Sequence, residues 1–388
     1  MSSITMEKPV TRVETRGFKF QWRDFRSLFA LAIVIVVLTF LTDGTFFTPR
    51  NITNLTRQVA LNGILAVGMT FVILIGGIDL SVGSVVALSG VVAGYLQVSL
   101  GVAQWTGSQA YLATFLSILS AMTVGLLCGM FNGWLITKHR IAPFIITLGM
   151  MVIARGLALI FAKGAAIAPL SENFDFLGQG YLPPMLSVAV VTSIGLGTVL
   201  FSIAVGKKTA STSLAVLACV VLTGFSVWTF QGYRGMPIPV LIFGILGNVG
   251  ALVLQKTRLG RFIMAIGGNP DAAWLAGVPM RKITFGIYAA MGVLAGLCGA
   301  ILSARLNGAL PTAGELFELD AIAAVVIGGT SLVGGMGTVR GSILGAFFMG
   351  ALNNGMSLLD ITEFYQKVIK GVIIILAVWF DMQSQEKE

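Results

Sequence analysis

The chain has 388 residues, of which 56% are hydrophobic and only 11% charged, and its mean hydropathy is +0.91. Soluble domains carry about a quarter charged residues, so a scaled-up soluble core is excluded; repeated apolar runs of roughly 17–25 residues mark a polytopic, all-α transmembrane bundle. The net charge of +9 sits in a few short loops and an N-terminal tail, as a topology signal does, and not on a nucleic-acid surface.

A basic tail, residues 1–24, with Arg12, Arg16, Lys19 and Arg23, precedes the first run, 25–42. The pair resembles a signal peptide, but the tail is long and Thr42-Asp43-Gly44-Thr45-Phe46 is a poor cleavage context, so 25–42 reads as an uncleaved span. Further spans are predicted at 58–76, 81–98, 111–136, 144–163, 185–205, 213–230, 238–255, 283–304, 318–333, 341–358 and 365–380. The sum is about 10–12 crossings within one membrane domain, 25–380. A loop at 256–282 interrupts this domain and a short tail, 381–388, closes the chain. Segment 164–184, with Glu172, Asp175, Pro183 and Pro184, is the longest loop expected on the outer side. Lys138-His139-Arg140, Lys207-Lys208, Arg340 and the basic residues of 256–282 fall on the side of the N-terminal tail. Arg50, Arg57, Lys163, Arg234 and Arg305 fall on the other, which places both termini in the cytoplasm. Span 318–333 is the weakest: it begins Glu318-Leu319-Asp320, ends in glycines, and reads alternatively as a re-entrant helix.

The 48 glycines fit close helix–helix approach in lipid. Cys128, Cys219 and Cys298 lie singly in apolar runs and read as small buried hydrophobes. His139 is the only histidine, which excludes a histidine-based zinc site or catalytic triad. Gly76-Gly77-Ile78-Asp79-Leu80-Ser81-Val82-Gly83 echoes Gly328-Gly329-Thr330-Ser331-Leu332-Val333-Gly334-Gly335, and glycine-interrupted helices in corresponding halves of a transporter point towards its pathway.

Few polar groups interrupt the apolar runs. A carboxylate in lipid costs several kcal/mol, so Asp79 and Asp320 must face a cavity, a partner or the interface. Each also reads more simply as a helix-start residue, Asp79 as a cap and Asp320, with Glu318, as a dipole partner. Arg155 lies well inside a run and snorkels only partly, so a buried pair or a water-filled route competes with interfacial placement. Ser81, Asn62, Asn132, Asn353 and Asn354 are candidate hydrogen-bonding groups for a polyol, although bonds between helices are the simpler reading.

The loop at 267–279 is more specific. Asn269 suits an N-cap, Pro270 the first helical position, and Asp271 the positive helix end; Gly277 suits a left-handed C-terminal position, with Pro279 as a stop. A short helix, Pro270-Asp271-Ala272-Ala273-Trp274-Leu275, therefore stands among Lys256, Arg258, Arg261, Arg281 and Lys282, a surface suited to a cytoplasmic partner. Anionic lipid would explain the charges but not the capping. The chain has no Gly-x-x-x-x-Gly-Lys-Ser/Thr, so it carries no P-loop of its own.

Asp271-Ala272-Ala273-x-x-x-Gly277 resembles the Glu-Ala-Ala-x-x-x-Gly loop of ABC importer permeases, with Asp for Glu and without the Ile-x-Leu-Pro that follows in the broader family. Gly267-Gly268-Asn269-Pro270-Asp271-Ala272-Ala273, Gly76 to Ser84 and Ala324 to Leu332 are similar to the permeases for ribose, xylose, arabinose and galactose. The extra apolar pair around 185–230, ending Tyr233-Arg234-Gly235-Met236-Pro237, and the tail from Lys370 to Asp381 look most like the xylose branch. The resemblance implies a homodimer in the bacterial inner membrane that carries a monosaccharide, with D-xylose foremost. It implies an ATP-binding subunit, which would hold ATP and Mg, docked on 269–277 through Trp274 and Leu275, and a sugar-binding protein outside. No cofactor is expected in this chain. An ion-coupled sugar porter, using Asp79 or Asp320, and a passive channel or scaffold are the competing readings.

Overall fold

The computed structural model describes residues 22–98, 101, 104–204 and 209–385. Arg12, Arg16, Lys19 and the Lys207-Lys208 pair lie outside the described residues. Fifteen α-helices are described: α1 Trp22–Leu41, α2 Pro49–Leu74, α3 Val82–Val98, α4 Ser108–His139, α5 Pro143–Phe161, α6 Glu172–Gln179, α7 Pro184–Ala204, α8 Thr209–Ser226, α9 Ile238–Lys256, α10 Arg258–Gly268, α11 Pro270–Leu275, α12 Met280–Leu306, α13 Phe317–Ile327, α14 Val339–Leu358 and α15 Glu363–Gln385. Among them α2, α4, α5, α9 and α12 are long and apolar enough to cross a bilayer unaided, and shorter apolar helices include Leu28–Leu41 and Val82–Val98. The only described ladder is a two-stranded antiparallel clasp, β1 Tyr181–Leu182 on β2 Met236–Pro237, that closes the base of the α7–α8 pair.

Two groups of helices repeat one another with inverted direction. In the first, α2 is followed by an extended stretch, 75–81, and then α3, α4 and α5; in the second, α12 is followed by an irregular stretch, 307–316, and then α13, α14 and α15. The packing follows the same exchange: α12 lies on α3 and α4 as α2 lies on α13 and α14, while α3 packs on α4 and α5 as α13 packs on α14 and α15. Between α4 and α12 the seam is backbone against backbone. Gly125, Gly129 and Gly133, spaced four apart, face Gly292 and Gly296, the Tyr288 main chain and the Phe285 main chain, and a Cβ at Gly129 would overlap the Tyr288 carbonyl. Such contact is how small residues bind helices in lipid, where burial of apolar surface supplies little.

This arrangement corrects two expectations. Helix α13 has 11 residues, or about 16 Å, too short for a hydrocarbon core of about 30 Å. It is neither a full span nor a re-entrant loop, because 307–316 enters from one face of the membrane and α13 completes the crossing. Ala309 pairs with Ile167, just past the end of α5, whereas Gly335, after α13, donates from its amide to the Leu74 carbonyl at the opposite end of the bundle. The number of crossings is thereby preserved. The echo between 76–83 and 328–335 does not mark the repeat: both stretches lie at the same face, with Gly76 and Gly334 in contact. The stretches related by the repeat are 75–81 and 307–316.

Segment 164–184 contains one more helix than expected. Ser171 accepts from the Phe174 amide and Glu172 and Asp175 fill the first turn of α6, favourable at the positive helix end. Burial, then neighbouring Glu172, push the Asp175 carboxyl up to about 6, and its Oδ1 is buried without a partner. Because the folded value lies above the ordinary 3.8, the protonated group favours the folded state; that contribution is complete below about pH 4 and lost as pH rises through about 6. Asp175→Asn should therefore raise the melting temperature at pH 7 and leave it nearly unchanged at pH 4, in thermal scans of the detergent-solubilised protein.

Candidate functional site

Helix α11 forms as local chemistry dictates. Asn269 Oδ1 accepts from the Ala272 amide at 2.9 Å, Pro270 takes the first position and Asp271 the first turn. At the other end Gly277 adopts φ +74°, with Val278 donating to Ala273 and Gly277 to Trp274, the paired bonds of a Schellman closure. Ala273 is buried, whereas Trp274 and Leu275 are 70% and 78% exposed. Two large apolar side chains held outward by a helix with both ends capped form a surface that water does not stabilise. Beside them a cavity of about 560 Å³ is lined by Arg140, Trp274, Arg281 and Lys282.

The C-terminal end of α10, immediately before α11, is fastened to the membrane core through glycine backbones. Gly267 lies against the Leu74 carbonyl and the Gly335 amide, and Gly334 and Gly335 lie on Gly267 and Gly268. The Gly335 amide donates to Leu74 O at 2.9 Å. The residues that lead into α11 therefore rest on the end of α2 and on the connection between α13 and α14, backbone against backbone.

Deeper in the bundle, the polar candidates fall into separate clusters. Asp79 Oδ1 accepts from the Ser81 amide at 2.9 Å and from Ser81 Oγ at 2.6 Å, while Asn132 Nδ2 donates to Ser81 Oγ at 3.1 Å. Thr147 Oγ1 donates to the Ile78 carbonyl. Asp79 thus ties the turn ahead of α3, two residues before the helix cap, and Asn132 and Thr147 fasten that turn to α4 and α5. Within the first turn of α13, Asp320 is 2% exposed and its Oδ2 accepts from Asn62, Asn353 and Lys370 at 3.3, 3.1 and 3.1 Å. Asn354 exchanges amide bonds with Asn51 at 2.8 and 3.1 Å, joining α14 to α2.

Arg155, on α5, donates from Nη1 to the carbonyls of Pro311 at 2.6 Å and Ala313 at 2.9 Å. Irregular backbone at membrane depth must have its polar groups met by protein or water, and Arg155 does this for 307–316. The guanidinium borders a cavity of about 500 Å³, with Ser84, Met151, Glu315 and Glu318 on its walls. Lys370 and Glu315 were not among the candidates read from the sequence, and Glu318 was read only as a helix-dipole partner. Lys370 could have been noticed as a cation within an apolar run; its pairing with a residue 50 positions away could not.

An inverted helical repeat with two broken crossings, and a capped helix whose leading residues are fastened to both halves, defines a membrane-embedded permease subunit. A family model described as "Branched-chain amino acid transport system / permease component" matches residues 51–378, and the chain belongs to this family. It is similar to the xylose transport system permease protein of Escherichia coli (strain K12), 38% identical over 375 residues that cover 94% of this chain and 92% of the relative. The ribose import permease protein of Bacillus subtilis (strain 168) is 37% identical over 386 residues, 99% of each chain. A xylose transport system permease protein of Haemophilus influenzae is 38% identical over 371 residues, covering 93% and 96%. No solved structure matches. The chain is a multi-pass transport component and not an enzyme.

Proposed function

We propose that this chain is the membrane subunit of an ATP-driven monosaccharide importer of the bacterial inner membrane, with D-xylose as first candidate and both termini cytoplasmic. The observation that carries the reading is α11, capped at both ends with Trp274 and Leu275 outward, and joined through Gly267 and Gly335 to both repeats. The xylose and ribose permeases that the chain resembles are nearly equal in identity, so the likeness supports a pentose. D-xylose is placed first only because the α7–α8 region resembles the xylose branch.

Two copies form the path between them in this reading. An ATP-binding subunit engages Trp274 and Leu275, and a sugar-binding protein delivers sugar on the opposite face. Closure of the ATPase moves α11, and the glycine junction passes the movement to α2 and to the α13–α14 connection, a shift of packed helices about broken segments. Asp79, Ser81 and Asn132 hold the break before α3, as Asp320 and Asn353 hold α13; Asn354 keeps α14 on α2, and Arg155 fixes 307–316. That the Asp320 charge is matched by Lys370 within the protein speaks against a free ion-carrying carboxylate, which an ion-coupled porter would need.

The test is uptake into proteoliposomes holding the chain with its ATPase and binding protein. Uptake is expected to require ATP, to survive dissipation of ion gradients, and to favour D-xylose over D-ribose. Uptake that persists without ATP and collapses with an ion gradient would establish the ion-coupled porter instead.

A further inference from the structure

Two helices begin in the membrane interior and their first turns meet. Gly83, in the first turn of α3, lies against the Gly314 carbonyl and Glu318 Oε2, at the start of α13. Helix N-termini carry partial positive charge and unpaired amides, and broken crossings converging from opposite faces are where transporters place substrate. The 500 Å³ cavity opens at this junction. Its walls combine one cation, Arg155, two carboxylates, Glu315 and Glu318, and the apolar Met151, Val152 and Leu159.

Such a set does not suit lipid. Arg155 stands twelve residues into the 19-residue α5, well below either end, and charges at that depth face water or protein. The other polar clusters are buried away from any opening: Asp79 and Asp320 are each 2% exposed. Glu318 is half-buried and Glu315 exposed, and both line the cavity; Lys367 Nζ holds Glu315 Oε1 at 2.9 Å. Carboxylates accept from several hydroxyls at once, a guanidinium donates to ring and hydroxyl oxygens, and the wall of Met151 and Val152 suits the C–H face of a sugar ring.

We propose that this cavity, between α3, α5 and the start of α13, is a sugar-contacting station on the transport path, in which Glu315, Glu318 and Arg155 meet the hydroxyls of a monosaccharide. The inference rests on the importer reading above and adds to it the residues that touch substrate. Sugar passes here by exchange of hydrogen bonds, and the binding protein keeps the task of capture.

The assay uses the assembled complex with single added cysteines, Met151→Cys in the cavity and Ile153→Cys at the same depth on the other side of α5. A charged, water-soluble thiosulfonate is applied, and each modified peptide is followed by mass spectrometry so that the native cysteines need not be removed. Thiolate forms only where water reaches, so Met151→Cys should react at least about tenfold faster than Ile153→Cys. Saturating D-xylose or D-ribose should slow that reaction. Ser84→Cys is the second cavity probe if Met151→Cys does not assemble. Equal rates at cavity and control positions, or a cavity rate indifferent to both sugars, in a complex that imports sugar would overturn this inference alone. A complex that imports neither sugar overturns the importer reading as well.

Discussion

Gly267→Ala is expected to reduce ATP-dependent uptake by at least about tenfold, because overpacking a filled junction costs roughly 1–3 kcal/mol and here forces backbone apart. The new methyl would occupy the space of the Leu74 carbonyl and the Gly335 amide. Neither is the end of a flexible side chain, so the strain is relieved only by parting α10 from α2 or by breaking the Gly335–Leu74 bond. Either movement uncouples α11 from the repeats. Gly268→Ala provides the control: nothing lies within 4 Å of a Cβ at Gly268, and alanine favours helix there, so uptake should be nearly that of the parent. Equal loss in both variants would show that the junction tolerates no change for reasons other than contact.

Asp320→Ala is expected to lower stability by about 3–5 kcal/mol, the usual cost of leaving one member of a buried ion pair behind. Lys370 is 19% exposed at its side chain and bonds Asp320 at 3.1 Å, and Asn62 and Asn353 direct their amides at the same oxygen. Removal strands all three donors. The double variant Asp320→Leu with Lys370→Met should recover much of the loss, since two buried charges disappear together. Thermal unfolding of the solubilised protein reads both effects. Parent-like stability in Asp320→Ala would mean that Lys370 reaches water readily, and that the pair does not hold α13 to α15.

Local signals were the most readable. The cap of α11 is written in consecutive residues, Asn269-Pro270-Asp271 at one end and Gly277 and Pro279 at the other, and the structure forms it bond for bond. Helix α6 carried a comparable signal, Ser171 followed by Glu172 and Asp175, but among prolines and polar residues it read as loop. The break before α3 was visible as a carboxylate beside glycines, whereas 307–316, before α13, carried no signal that was read. Hydropathy nevertheless assigned 318–333 to a span, because it averages over windows longer than an 11-residue helix. What sequence did not reveal is non-local. The meeting of Gly267 with Leu74 and Gly335, the hold of Lys370 on Asp320, and the convergence of Glu318 with Arg155 depend on an inverted repeat whose halves share geometry and little sequence. Motif similarity even misdirected the repeat, pairing 76–83 with 328–335, which are neighbours at one face of the bundle.

The central claim is that α11 is where this chain receives work from an ATPase. It is tested most directly by measuring the affinity of the ATP-binding subunit, and its sugar-stimulated hydrolysis, for a Trp274→Ala/Leu275→Ala variant in the reconstituted complex. Exposed aromatic anchors of an interface contribute about 2 kcal/mol or more, so binding should weaken by roughly 30-fold or more and stimulation should be lost. Unchanged binding with unchanged stimulation would contradict the account.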